Sequence, residues 1–293
     1  MKSMLFVGNP NAGQRRAKRY LSEILSIFNQ AGYQVQVHIT SRQGEAIDVV
    51  RTQSPGKDLV VCAGGDGTFN ETVNGLLQAG LRIPIGYIPC GSTNDFASSL
   101  HLPSNVLQSA RRIVEGTPVC YDAGLFGQRY FTYVASFGAF TKTSYTTPQN
   151  VKNALGHTAY VLSGIQELSQ LRKEHIRLEV DGYVIEDDFI FGAISNSTSV
   201  GGILTLDPNQ VDMGDGKFEI MLVRAPRTLS EISECIQAVQ SQKYNCSIIT
   251  FFSAREVTIQ ADPHMAWTLD GEKEAGHELV TATNLHHAIT IIK

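Results

Sequence analysis

The chain has little that would staple it, anchor it in a membrane or charge it strongly. Its 293 residues include only five cysteines, Cys62, Cys90, Cys120, Cys235 and Cys246, with no C-x-x-C pair. An odd, scattered set argues against a disulfide framework and against a cysteine-based structural zinc site, and it fits a reducing compartment. No run approaches the ~18 apolar residues of a membrane-spanning helix. The formal net charge of −4 lacks the basic excess expected of a nucleic-acid partner. No internal repeat, low-complexity tract or flexible linker interrupts the chain. Its first residues, Met1–Gly8, run straight into a strand and lack the apolar core of a signal peptide. Together these absences set an expectation of a cytoplasmic protein that meets a membrane only peripherally, at its inner face.

What is present suits a packed core. Hydrophobic residues make up 42% and charged residues 18%, enough for one large domain or two ordinary ones. Strand and helix patterns alternate through the first part of the chain. Strands are predicted at 5–7, 34–39, 58–63 and 83–88, and helices at 16–31, 44–51, 70–78 and 106–114. Leu21, Ile24, Leu25 and Phe28 form one apolar face of the first helix. This rhythm implies a doubly wound, mainly parallel sheet with helices on both faces. After Asp122 the texture changes. Segments 129–140, 176–180, 183–194, 218–223 and 248–260 read as strands, punctuated by Asp181-Gly182 and Asp215-Gly216 turns. Helices are expected near 155–172 and over 229–242, the latter with a core-facing stripe of Leu229, Ile232, Ile236 and Val239. The expectation is an α/β domain over 1–122 and an antiparallel, β-sandwich-like domain over 123–293, with the last strand able to return to the first domain.

The strongest local signal is Gly64-Gly65-Asp66-Gly67-Thr68-Phe69-Asn70-Glu71, directly after an apolar strand. The glycines permit unusual backbone angles and close approach of a ligand. Backbone N–H groups in such a turn, added to a helix N-terminus, favour an anion. Thr68 and Asn70 add polar groups. Asp66 would repel a phosphate unless magnesium or a cationic side chain lies between them. A second loop, Gly91-Ser92-Thr93-Asn94-Asp95, follows the next strand. The two loops lie one strand–helix unit apart and read as two walls of one nucleotide site.

Five motifs in order resemble a family. They are Asn9-Pro10-Asn11-Ala12-Gly13, the Gly64–Thr68 loop, the Gly91–Ala97 loop, Asp215-Gly216-Lys217-Phe218, and Leu269-Asp270-Gly271-Glu272. The set is similar to that of the bacterial lipid kinases of the diacylglycerol kinase catalytic-domain family, relatives of sphingosine and ceramide kinases. The resemblance spans nearly the whole chain. It implies an ATP site between a nucleotide-binding domain and a β-rich domain that shapes the acceptor site. By motif, Asn9, Pro10, Asn11, Gly13 and the loop Gly64, Gly65, Asp66, Gly67, Thr68, Asn70 and Glu71 hold ATP phosphates. Thr40 and Thr93 line the nucleotide pocket, beside Gly91, Ser92 and Asn94. Relatives often carry Ser where Ala12 stands, so a hydroxyl contact is lost there. The resemblance also implies a magnesium site with Asp215 as ligand and further oxygens from Asp212 and Lys217. A proton acceptor comes from Asp270-Gly271-Glu272. Glu272 is the expected acceptor, Asp270 its partner, and Asp66 the residue that orients magnesium–ATP.

Other features admit two readings. Arg15, Arg16, Lys18 and Arg19 could meet phosphates or an anionic membrane surface, or simply form a solvated helix face. Asp122 belongs either to a polar network or to a structural salt bridge. His286-His287 resembles a metal pair, but neighbours on a strand point to opposite faces, so the expectation there is no metal site. Trp267 is expected in the core. The function expected from the resemblance is transfer of phosphate from ATP to the hydroxyl of a diacylglycerol-like lipid at a membrane surface, by a chain compatible with a homodimer. The alternatives are a kinase for a soluble acceptor, as in NAD kinases with their similar Gly-Gly-Asp-Gly-Thr loop, and a non-catalytic nucleotide-binding regulator.

Overall fold

A computed structural model describes residues 1–13, 15–138, 172–200, 204–205, 211–241, 244 and 246–293. The helix expected near 155–172 and the strand end at 139–140 fall outside the described residues, apart from residue 172. The chain divides into two compact units. The first comprises Met1–Thr132, Met213–Gly216 and Leu285–Lys293, and the second Tyr133–Asp212 and Lys217–Asn284.

The first unit alternates strand and helix: β1 (Lys2–Gly8), α1 (Arg16–Arg19), α2 (Leu21–Gln30), β2 (Tyr33–Ile39), α3 (Glu45–Gln53), β3 (Leu59–Gly64), α4 (Asp66–Gln78), β4 (Ile85–Pro89), α5 (Asp95–Ser99), α6 (Val106–Glu115), β5 (Pro118–Phe126) and β6 (Arg129–Phe131). Strands pair in parallel in the order β4-β3-β1-β2. The end of the last strand, β17 (Leu279–Ile292), joins the β4 edge in parallel at Ile291 and Ile85. Side-chain alternation divides the strands between two helical layers. Met4, Phe6, Leu59, Val61 and Ala63 form one buried cluster with Ile24 and Phe28 of α2 and Ala110 and Ile113 of α6. On the other face α3 and α4 cross so closely that a Cβ at Gly75 would lie 2.7 Å from the Ile47 carbonyl oxygen. The amphipathic stretch predicted as one helix is broken at Tyr20, whose φ of −104° and ψ of 13° leave the helical range.

The second unit is antiparallel. It contains β7 (Val134–Gly138), β8 (Glu174–Val180), β9 (Tyr183–Ser195), the short pair β10 (Ser199–Val200) and β11 (Leu204–Thr205), β12 (Phe218–Arg224), α7 (Leu229–Ser241), β13 (Ile249–Ala254), β14 (Glu256–Gln260), β15 (Trp267–Leu269), β16 (Glu272–Glu274) and the first part of β17. β9 is the organising strand. Its exposed first half pairs with β8, and its buried second half lies between β7 and β12. The single strand predicted over 248–260 is two strands. β13 pairs with β12 while β14 joins β8 and β17, and the corner at Arg255 is held by Asn284 N–H on its carbonyl oxygen at 2.8 Å. Helix α7 starts with a reciprocal cap: the Glu231 N–H donates to Thr228 Oγ1 and the Thr228 N–H to Glu231 Oε2.

Candidate active site

In the first unit the chain leaves β1 for β2 on one side, then returns to β3 on the other. Loops leaving neighbouring strands diverge at such a point and open a crevice at the carboxyl ends. The loops after β1, β3 and β4 all lie there, and they are tied together. Asn9 Nδ2 donates to Thr68 Oγ1 at 3.2 Å, while Asn9 Oδ1 accepts the Asn11 N–H at 3.0 Å. The Cys90 N–H donates to the Gly64 carbonyl oxygen at 2.7 Å. Gly65 and Gly91 lie backbone to backbone, since a Cβ on Gly91 would come within 2.6 Å of the Gly65 Cα. Gly13, at φ 37°, is so placed that a Cβ would overlap the Cys90 carbonyl oxygen. Thr40 is buried where β2 ends, its N–H on the Gly8 carbonyl oxygen at 2.9 Å.

The second loop is shaped by one side chain. Asn94, at φ 54°, accepts the Gly91 N–H on Oδ1 at 2.8 Å and donates Nδ2 to the Gly91 carbonyl oxygen at 2.9 Å. Ser92 and Thr93 stand exposed on this closed turn. The loop rests on an aromatic column that the sequence reading assigned no role. Phe69 of α4 stacks on Tyr87 of β4 at 4.5 Å and on Phe96 of α5 at 4.8 Å. A phenylalanine directly after Thr68 is the sequence signal for it.

The carboxylates of the first loop act as struts. Asp66 Oδ2 accepts the Asp95 N–H at 3.1 Å and Oδ1 the Phe96 N–H at 3.3 Å, which fastens the start of α5. Glu71 accepts the N–H groups of Gly44 and Ala46 at 2.9 and 3.1 Å and caps α3. Asn70 is buried and leans toward the Tyr130 carbonyl oxygen, which also accepts Asn74 Nδ2 at 3.2 Å. Thiol chemistry is not on offer here. Burial pushes the Cys62 and Cys90 thiols up, Cys90 to about 11 against the opposing charge of Arg16, so neither is a thiolate near neutral pH. Arg15, Arg16, Lys18 and Arg19 are exposed.

The second unit supplies the Asp270-Gly271-Glu272 motif. Leu269 and Glu272 face each other across a two-residue turn in which Asp270 has φ 48° and Gly271 φ 80°, the left-handed pair that a tight hairpin needs. Asp270 is buried, and its Oδ1 accepts the N–H groups of Tyr133 and Val134, both at 3.0 Å. Glu272 opens β16 and is half-buried. Trp267 is buried edge-on to Phe137 at 5.1 Å, as expected of a core residue.

Of the expected metal residues, Asp215 sits on the turn Met213–Gly216, counted with the first unit, and Asp212 and Lys217 belong to the second. All three are exposed. Asp122 holds that turn: its N–H donates to the Met213 carbonyl oxygen at 2.9 Å, and its Oδ2 accepts the Gly216 N–H at 2.7 Å. The Lys217 carbonyl oxygen accepts Asn284 Nδ2 at 2.9 Å, and Asn284 Oδ1 is buried without a hydrogen-bond partner. The expectation that His286 and His287 face opposite ways is overturned. Their rings stack with centroids 3.7 Å apart, because His287, at φ 51°, breaks the strand's alternation.

Comparison with known proteins gives the family and the fold. The model of the diacylglycerol kinase catalytic domain matches residues 3–126, and that of the YegS C-terminal NAD kinase beta sandwich-like domain matches residues 136–293. The chain is 32% identical to a diacylglycerol kinase of Bacillus subtilis (strain 168), over 93% of this chain and 90% of that protein. It is also 32% identical to a diacylglycerol kinase of Staphylococcus carnosus (strain TM300), over 92% and 89%. A crystal structure of a diacylglycerol kinase from Bacillus anthracis str. Sterne shares the fold, with a TM-score of 0.76 at 22% identity over 99% of this chain and 96% of that one. Another crystal structure from that organism matches with a TM-score of 0.83 at 25% identity, over 99% and 95%.

Proposed function

The chain belongs to the diacylglycerol kinase catalytic-domain family, and from that premise we propose that it phosphorylates the hydroxyl of a diacylglycerol-like lipid with ATP. The observation that carries this reading is the convergence of three glycine loops at the crevice, with Asn9 on Thr68 and Gly65 against Gly91. Backbone N–H groups there meet the ATP phosphates, and Thr40 and Thr93 line the nucleotide's path. The acceptor oxygen bonds to the γ-phosphorus, the bond to the β–γ bridging oxygen breaks, and ADP leaves. The hydroxyl proton passes to the Glu272 carboxylate. Asp270, committed to the Tyr133 and Val134 N–H groups, fixes the turn from which Glu272 projects. Asp66 sets the distance between the first and second loops through α5.

Magnesium suits the Asp212–Lys217 turn. Carboxylates such as those of Asp212 and Asp215, and backbone carbonyl oxygens, are the hard oxygen donors it takes. Bound there, the ion would supply positive charge against the phosphates. Among the described residues no helix is long and apolar enough to cross a membrane.

The test is transfer of labelled γ-phosphate from ATP, with magnesium, into mixed micelles carrying a panel of lipids, beside an NAD control. Label in an organic-extractable product supports the reading and identifies the acceptor. Label in NAD alone moves the chain to a soluble acceptor, and no label with ATP binding intact favours a nucleotide-binding regulator.

A further inference from the structure

The pair His286-His287 lies within the first unit, against Asp122, and neither histidine has a part in the proposed phosphoryl transfer. Three features make the group more than a chance cluster. Asp122 is fully buried and prepositioned, Oδ2 by the Gly216 N–H and Oδ1 by the His287 N–H, both at 2.7 Å. His286 Nδ1 lies 3.2 Å from Asp122 Oδ1. His287 holds a left-handed φ of 51°, a conformation that strains a β-strand residue and that brings its ring onto the same side as His286. One ligand atom from each of the three residues falls within 4.8 Å of the other two, and among the described residues no other group of His, Cys, Asp or Glu does this.

We infer that Asp122, His286 and His287 form a binding site for a divalent transition metal of the zinc type. Two imidazoles and one carboxylate are a borderline-soft donor set, unlike the all-oxygen set that magnesium takes. A tetrahedral centre with bonds of about 2.0–2.1 Å spaces its ligand atoms roughly 3.3 Å apart, close to the 3.2 Å between Asp122 Oδ1 and His286 Nδ1. Three protein ligands leave a fourth position for water. The buried carboxylate forms the floor, its backbone partners fix its orientation, and the exposed imidazoles form the entry. An ion there fastens the end of β17 to β5 and, through the Gly216 N–H, steadies the turn that carries Asp215.

The experiment is a titration of the full chain with Co²⁺ and with Zn²⁺, in excess magnesium, followed by cobalt ligand-field absorption and by calorimetry. The expected result is one equivalent bound, with imidazole-type cobalt bands. Affinity should fall at least ~10-fold in His286→Ala and in His287→Asn, the scale seen even for disturbing an outer-shell partner. Asn tolerates the left-handed backbone, so His287→Asn keeps the strand's path. His175→Ala is the control. That exposed histidine of the second unit pairs with Asp188 and Glu186, and its loss should leave the titration unchanged. No stoichiometric binding, undiminished binding in His286→Ala and His287→Asn, or displacement by magnesium would each overturn the inference.

Discussion

Asp270 and Glu272 are two residues apart and sit in different surroundings. Asp270 is 3% exposed and accepts two backbone N–H groups on one oxygen, while Glu272 is half-buried at the start of β16. Their loss should therefore register in different measurements. Glu272→Gln is expected to lower kcat at least ~100-fold, the usual scale for removing a general base. Its thermal midpoint should stay near that of the parent. Asp270→Ala removes the acceptor for two buried N–H groups and a residue tolerant of the left-handed turn, so it should cost about 2–4 kcal/mol of stability. Rate assays beside calorimetry separate the two. Unchanged turnover in Glu272→Gln would remove it as proton acceptor.

At the scale of elements, loops and helix starts decide the site. The contact between Gly65 and Gly91 leaves no room for a methyl group. Gly91→Ala should force the loops after β3 and β4 apart at a cost of about 1–3 kcal/mol, or roughly 5–150-fold in apparent ATP affinity. Gly80→Ala also sits at positive φ, but nothing lies within 4 Å of its Cβ, so ATP affinity should be retained there. Helix α3 gives a pH test. The Ser41 N–H, His38 and the Ser41 hydroxyl, in that order of effect, hold the Glu45 carboxyl down at about 2. A lowered folded-state value means that the stabilisation is fully present above the unfolded carboxyl range near pH 4.5 and fades as pH falls toward 2. The difference in thermal midpoint between the parent and Glu45→Gln should shrink across that window. A difference that stays constant from pH 6 to pH 2 would contradict the assignment.

For the whole molecule, nucleotide binding and catalysis are separable. ATP with magnesium at ~100 times its dissociation constant should stabilise the folded chain by about 2.7 kcal/mol. Glu272→Gln should keep that shift, and Gly91→Ala should lose from about a third to about nine-tenths of it at the same ligand concentration, matching its roughly 5–150-fold weaker binding. Differential scanning calorimetry reads both. A shift equally absent from parent and variants would withdraw ATP as the ligand of the glycine loops.

The parts of this protein fixed by neighbours in the chain were legible in its sequence. A short, wholly apolar run marks β3, an apolar stripe marks α4, glycine after a buried strand marks the loops that follow β3 and β4, and Asp181-Gly182 and Asp270-Gly271 form left-handed turns. Those features depend on contacts a few residues long. Where each carboxylate points depends on backbone arriving from far away, and only the tertiary structure decides it. Asp66 turns to Asp95 and Phe96, Glu71 to Gly44 and Ala46, and Asp270 to Tyr133 and Val134. The break of the predicted 248–260 strand at Arg255 has the same origin, because its two halves answer to different partner strands. The histidine pair is the sharpest case. Period-two alternation sends His286 and His287 apart, and one left-handed residue, held by Asp122 from 165 positions earlier, brings them together.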